Sequence, residues 1–210
     1  MSDPVTMEAG PLALWGAIVA DEEVPMGNAS PLRALLEGRP GIGKTTVTRR
    51  LIALLRGAGV PLGGFVTHEI RVRGRREGFT VEAISGDRGI LAHIDLPGPP
   101  RIGRYGVDLQ AFERIALPTL AAPQRGGVVV VDELGKMELA SAAFRDAVSV
   151  LWDQEAAVVA TMQLHHHPFT DALKRRPDVQ VLRVTEQSRD ALAERLAARL
   201  HPVGAAGRAR

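Results

Sequence analysis

Residues 38–46 read Gly38-Arg39-Pro40-Gly41-Ile42-Gly43-Lys44-Thr45-Thr46, a complete G-x-x-x-x-G-K-T followed by a second threonine. Glycines at this spacing let the backbone wrap so that its N–H groups converge on phosphate oxygens at the positive end of a helix. In such a loop the lysine reaches the β- and γ-phosphates, and the next hydroxyl, Thr45, ligates Mg²⁺. Thr46 is placed to touch the α-phosphate. The motif has this meaning only between a strand and a helix, and both are expected here. Leu32–Leu36 reads as a short strand. Thr45–Arg56 carries Val47, Leu51, Ile52, Leu54 and Leu55 at helical spacing and stops at Gly57 and Gly59.

Further along, Val128–Val131 is a run of four valines ending in Asp132 and Glu133. Short, unalternating β-branched runs suit a strand buried on both faces of a parallel sheet. An aspartate at such a strand end holds Mg²⁺, commonly through water, and the adjacent glutamate can take a proton from an attacking water. For these groups to act together, the strands before Lys44 and before Asp132 are expected to be parallel neighbours.

The remaining elements alternate. Phe65–Val72 and Phe79–Ile84 predict a hairpin with its turn at Gly74, Arg75 and Arg76, and Ile90–Ile94 a short third strand. The cluster Pro97, Pro99, Pro100 predicts a loop. Asp108 should cap a helix to Leu120 that Pro118 breaks in its last turn. Ser141 should cap a helix to about Trp152, Ala156–Thr161 and Val179–Val184 should be strands, and Thr185 should cap a final helix to Leu200. The expected class is therefore α/β, a mainly parallel sheet flanked by helices with an inserted antiparallel hairpin. Residues 1–30 read as an extension rich in Gly, Pro, Ala and acid, 31–200 as one domain, and 201–210 as a tail.

Composition narrows the chemistry. The 210 residues are 45% apolar and 24% charged, as in ordinary globular proteins, and contain no cysteine. That removes disulfides, thiolate zinc sites and a cysteine nucleophile. The first 32 residues hold five acids and no Lys or Arg, so the modest basic excess lies in the remainder. This suits a phosphate-bearing ligand. It is no basic run, so nucleic acid is not the expected partner, although charge alone does not exclude it. Pro11–Ala20 is too short to span a bilayer and follows acids rather than bases, which predicts no membrane association and a cytoplasmic protein. Nothing in the sequence sets an oligomeric state.

Taken with GGFVTHEI at 63–70, REGF at 76–79, GRYGVDL at 103–109 and VVDELGKMEL at 130–139, the loop gives the chain a specific likeness. From Gly38 to about Leu200 it resembles the cancer-related nucleoside-triphosphatase family, small P-loop enzymes of archaea, thermophilic bacteria and animals. The resemblance implies a variant RecA-like fold and Mg²⁺-dependent hydrolysis of ATP, GTP and other nucleoside triphosphates. It places nucleotide contacts at Gly38 through Thr45 and at Val129, Val130, Val131, Asp132, Glu133, Leu134, Gly135 and Lys136. Glu133 takes the general-base role, and Lys136, in a GKME-like turn, is a candidate γ-phosphate sensor or the salt-bridge partner of Glu138 or another acid. The chain departs from the family in its 30 leading residues and in Glu37, which stands where a hydroxyl residue commonly precedes the first glycine. A carboxylate there would repel a triphosphate unless it points away or pairs with Arg39.

Other residues carry weaker signals. Arg75, Arg76, Arg104 and Arg189 are candidate transition-state arginines among 23 in the chain. Glu69 could orient a water, Thr161 could act as a polar sensor at a strand end, and Tyr105 could stack on a base. His165–His167 read as a polar loop rather than a metal site, because adjacent rings do not easily converge on one ion. Two rival functions remain on sequence grounds. A kinase of small molecules or nucleotides uses the same loop. A nucleotide-dependent switch binding protein or RNA could use the arginine-rich hairpin.

Overall fold

The computed structural model describes residues 31–123 and 126–201. The expected extension, residues 1–30, and nearly all of the tail lie outside them. Nine strands form one sheet: β1 Arg33–Gly38, β2 Leu62–Val72, β3 Arg75–Ala83, β4 Arg88–His93, β5 Arg101–Ile102, β6 Tyr105–Val107, β7 Val128–Leu134, β8 Ala157–Gln163 and β9 Val179–Arg183. The helices are α1 Lys44–Gly57, α2 Leu109–Ala116, α3 Ala142–Asp153, α4 Pro168–Lys174 and α5 Arg189–Leu200. The strand order is β5-β6-β4-β3-β2-β7-β8-β1-β9. From β2 to β9 neighbouring strands are parallel, and from β2 outward to β5 they are antiparallel.

Alternation along the central strands sorts the core into two layers. Val128 and Val130 of β7 face α1 and α5, packing with Val47, Leu51, Leu192 and Leu196. Val129 and Val131 face α2 and α3, where Phe65, Phe112 and Phe144 meet edge to face at 5.0–5.7 Å. Both faces of β7 are covered, which is why its valines need not alternate with polar residues.

Asp108 caps α2 by accepting from the Ala111 N–H, and Pro118 falls in a 3₁₀ turn, Leu117–Leu120, that ends it. Ser141 caps α3 through the Phe144 N–H.

Several expectations are corrected. β1 and β7 are not neighbours, because β8 lies between them. Three short apolar runs look alike in sequence, and only packing decides their order. The hairpin turns at Arg73 and Gly74, both with positive φ (49° and 79°), so Arg75 and Arg76 begin β3. A two-residue loop of that conformation matches strand twist better than a wider turn. At the start of α5, Ser188 directly before the helix makes no side-chain cap bond, and Thr185 caps this end as expected, in a capping box with Ser188. These two residues exchange hydrogen bonds, Thr185 N–H to Ser188 Oγ at 3.0 Å and Ser188 N–H to Thr185 Oγ1 at 3.1 Å. Beyond the proline cluster the chain forms the small β5–β6 pair, and after Pro168 it forms α4; both are too short for periodicity to reveal.

Candidate active site

The phosphate loop leaves β1 and enters α1 with Gly43 at φ 109°, and Lys44 opens the helix. Arg39, Pro40, Gly41 and Thr46 are exposed, Ile42 and Thr45 half-buried, and Gly38 and Lys44 buried. The Lys44 ammonium donates to the carbonyls of Gly38 at 3.1 Å and Arg39 at 3.4 Å, and stands 3.6 Å from Glu133 Oε2. A buried lysine is thus tied to both halves of the site at once.

Asp132 is 1% exposed, and each of its oxygens accepts a hydroxyl. Thr161 of β8 donates to Oδ1 at 2.5 Å, and Thr48 of α1 donates to Oδ2 at 3.3 Å. The Asp132–Glu133 peptide bond is cis. Glu133 Oε1 accepts from Gln163 Nε2 of β8 at 2.5 Å. Because β8 separates the two motif strands, its Thr161 and Gln163 form the bridge between them. Thr161 is completely buried on Asp132, which is the hydrogen-bonded strand threonine rather than a free sensor. Sequence reading missed Thr48 and Gln163, and saw Glu138 only as a partner for Lys136. Signals existed for the first two: Thr48 lies one helical turn after Lys44, and Gln163 shares a strand face with Thr161.

Of the four candidate arginines, Arg189 reaches the loop, donating from Nη1 to the Ile42 carbonyl at 3.4 Å. Arg76 and Arg104 are held in the hairpin by Glu69 and Tyr105, and Arg75 is exposed at the start of β3. Desolvation opposes the change, but hydrogen bonds from Arg76 and Arg71 prevail and lower the pKa of Glu69, so it is a hairpin charge. Tyr105 is buried edge-on to Phe79 and offers no face to a base. Glu37 does not pair with Arg39. It points to the opposite face of the sheet, paired with Lys174 and, at 3.9 Å, with Arg183, which relieves the expected repulsion. His167 caps α4 through the Phe169 N–H and His166 pairs with Asp171 at 3.2 Å. His165 has a pKa lowered by burial and by Lys136, against the opposing pull of Glu133.

A family model described as NTPase matches residues 33–197. This chain belongs to the NTPase family. In agreement, this NTPase-family chain is 42% identical over 166 residues to the nucleoside-triphosphatase THEP1 of Thermotoga petrophila, covering 79% of this chain and 90% of that protein. It is 40% identical over 171 residues to the human cancer-related nucleoside-triphosphatase, covering 75% and 90%. The crystal structure of THEP1 from Aquifex aeolicus superposes with a TM-score of 0.72 at 32% identity, covering 81% of this chain and 99% of that one. The P-loop α/β fold read from the sequence is thereby established.

Lys136 is exposed and, among the described residues, pairs with no acid; the expected bridge to Glu138 is absent. Glu138 is instead buried, 4% exposed, beneath the turn. Burial first, and then the Glu133 carboxylate, push its pKa up from 4.5 to about 8. Below pH 4.5 folded and unfolded chains both hold this proton, whereas between 4.5 and about 8 only the folded chain does. The stability owed to Glu138 therefore falls by about 1.4 kcal/mol per pH unit across that window and is lost as the folded group ionises. Denaturant unfolding of wild type and Glu138→Gln at pH 5, 6.5 and 8 should show the variant gaining relative stability at each step. Parallel curves would mean that Glu138 ionises normally within the fold.

Proposed function

We propose that the chain is a Mg²⁺-dependent nucleoside triphosphatase acting in the cytoplasm on ATP, GTP and related nucleotides, releasing diphosphate nucleotide and phosphate. The observation that carries this reading is the meeting of Lys44, Asp132 and Glu133 at the ends of parallel strands, the first 3.6 Å from the third. Gly38 through Thr46 would wrap the phosphates, and Asp132, Glu133 and Lys136 would face them from the end of β7 and the turn after it; Val129, Val130, Val131 and Leu134, expected as nucleotide contacts, are instead packed in the two core layers. Lys44 would neutralise charge on the transferring γ-phosphoryl group, as electrostatic stabilisation of that transfer requires.

The residues fit a Mg²⁺ ion: the Thr45 hydroxyl and the Asp132 carboxylate are hard oxygen donors. Thr48 stands between the two segments, its single hydroxyl proton within reach of the Thr45 backbone carbonyl at 3.1 Å or of Asp132 Oδ2 at 3.3 Å. With two hydroxyls already on its oxygens, Asp132 is suited to hold the metal through water. When bound there, the ion would supply charge neutralisation to the transferring phosphoryl group. Glu133 Oε2, free of Gln163, accepts the proton of the attacking water. Its position beside Lys44 favours water over an acceptor hydroxyl, and so hydrolysis over the kinase alternative.

Phosphate release from ATP, GTP, CTP and UTP with Mg²⁺ and no acceptor tests the proposal. Turnover on several nucleotides is expected; release that begins only when a nucleoside monophosphate is added would establish a kinase instead. Lys44→Ala should abolish binding of a non-hydrolysable ATP analogue in titration calorimetry. Affinity equal to wild type would remove the loop from the site.

A further inference from the structure

Gly135 faces two carboxyl groups. A Cβ there would lie 2.6 Å from Glu138 Oε2 and 2.9 Å from Glu133 Oε1. Two carboxyl groups therefore crowd the same point above the Gly135 backbone, one half-exposed at the site and one buried under it. We propose that Glu138 is a positioning residue for Glu133, backing its carboxylate across Gly135 so that one oxygen stays with Gln163 and the other stays free for the attacking water. The inference rests on Glu133 being the base.

Two adjacent carboxylates with no cation between them would repel, and among the described residues no Lys, Arg or His pairs with Glu138. The arrangement holds because Glu138 keeps its proton at neutral pH, as its raised pKa indicates. The neutral acid supports Glu133 without placing a second negative charge beside a triphosphate. The groups that face it agree. After burial itself, Glu133 on β7 most favours the protonated form and Asp132 adds less, while the backbone N–H of Glu138 opposes it by more than Asp132 adds and that of Gly135 by less. On the helices packed against this turn, Glu113 of α2 is engaged by Ser141, and Arg145 of α3 donates to the Leu139 carbonyl rather than to Glu138. Lys136 is exposed. Glu138 takes no part in binding the nucleotide and acts only through Glu133.

The test compares Glu138→Gln, Glu138→Ala and Glu133→Gln in full-length protein, by kcat and KM for Mg²⁺·ATP from pH 6 to 9.5 and by melting temperature. Glutamine keeps a neutral, hydrogen-bonding side chain of the same length. Glu138→Gln should keep kcat at pH 7 within about 3-fold, while Glu138→Ala should lose roughly 10- to 100-fold in kcat with KM changed by less than about 3-fold. Wild-type kcat should decline above pH 8 as Glu138 ionises, and Glu138→Gln should not show that decline. If Glu138→Ala does not fold, the comparison of the two pH profiles decides. Wild-type kcat in Glu138→Ala, equal losses in both variants, or one alkaline limb shared by wild type and Glu138→Gln would each overturn the proposal. If Glu133→Gln is inactive in the same series, only the positioning role fails; if Glu133→Gln is active, the base assignment falls and this proposal with it.

Discussion

Glu133→Gln should lower the rate of phosphate release by roughly 10²- to 10⁴-fold, the range for losing a positioned base, while Mg²⁺·ATP still binds. Glutamine has the shape of glutamate but does not accept a proton at neutral pH. Its amide oxygen can keep the hydrogen bond from Gln163 Nε2, so the side chain stays in place. What changes is the other end, where Oε2 stands 3.6 Å from Lys44. With that charge gone, the ammonium is released toward the phosphates and one negative charge near the triphosphate disappears, so affinity should hold or rise. Asp132→Asn should behave differently, weakening the metal-dependent part of binding together with the rate. Single-turnover kinetics and titration calorimetry separate the two. Near-normal hydrolysis by Glu133→Gln would end its role as base, and Glu69 would be a poor replacement, being held by Arg71 and Arg76 on the hairpin.

The second large effect is on folding. Gly64 of β2 pairs with Val130 of β7 at φ 101°, and an added Cβ would lie 1.9 Å from the Val130 carbonyl oxygen and 2.7 Å from its carbon. The obstacle is backbone in the middle of the sheet, not the end of a side chain that could swing aside. β7 cannot retreat, because β8 is hydrogen-bonded along its far edge. Gly64→Ala should therefore cost more than about 4 kcal/mol, combining a forbidden φ with the loss of strand pairing. Against a total stability of about 5–15 kcal/mol, much of the chain would be unfolded or insoluble. Yield of soluble protein and the denaturant midpoint measure this. A variant that unfolds within a few degrees of wild type would mean that β2 and β7 are not paired in this register. Any shift of Val130 would also move Asp132, two residues on, so residual folded protein should be poorly active.

The sequence by itself determined the phosphate loop, the helix behind it, the valine strand before Asp132 and Glu133, and the caps at Asp108 and Ser141. Each of these is a local pattern: glycine spacing, 3.6-residue periodicity, an apolar run, or a side chain that reaches a backbone N–H three residues on. Strand order was not local. Val128–Val131 and Ala157–Gln163 are similar apolar runs, and nothing in either says which lies beside β1. Packing placed β8 there, and so made Thr161 and Gln163 the partners of Asp132 and Glu133. Glu37 read as a hazard beside the loop because a sequence does not show which way a side chain points; the fold turns it to α4 and Lys174. Glu138 read as a surface partner for Lys136, and burial reversed that. Its carboxyl stands next to Glu133 without a countercharge, and desolvation keeps the proton on it. Protonation states of this kind arise from the summed field and burial around a group, which exist only once the chain has folded.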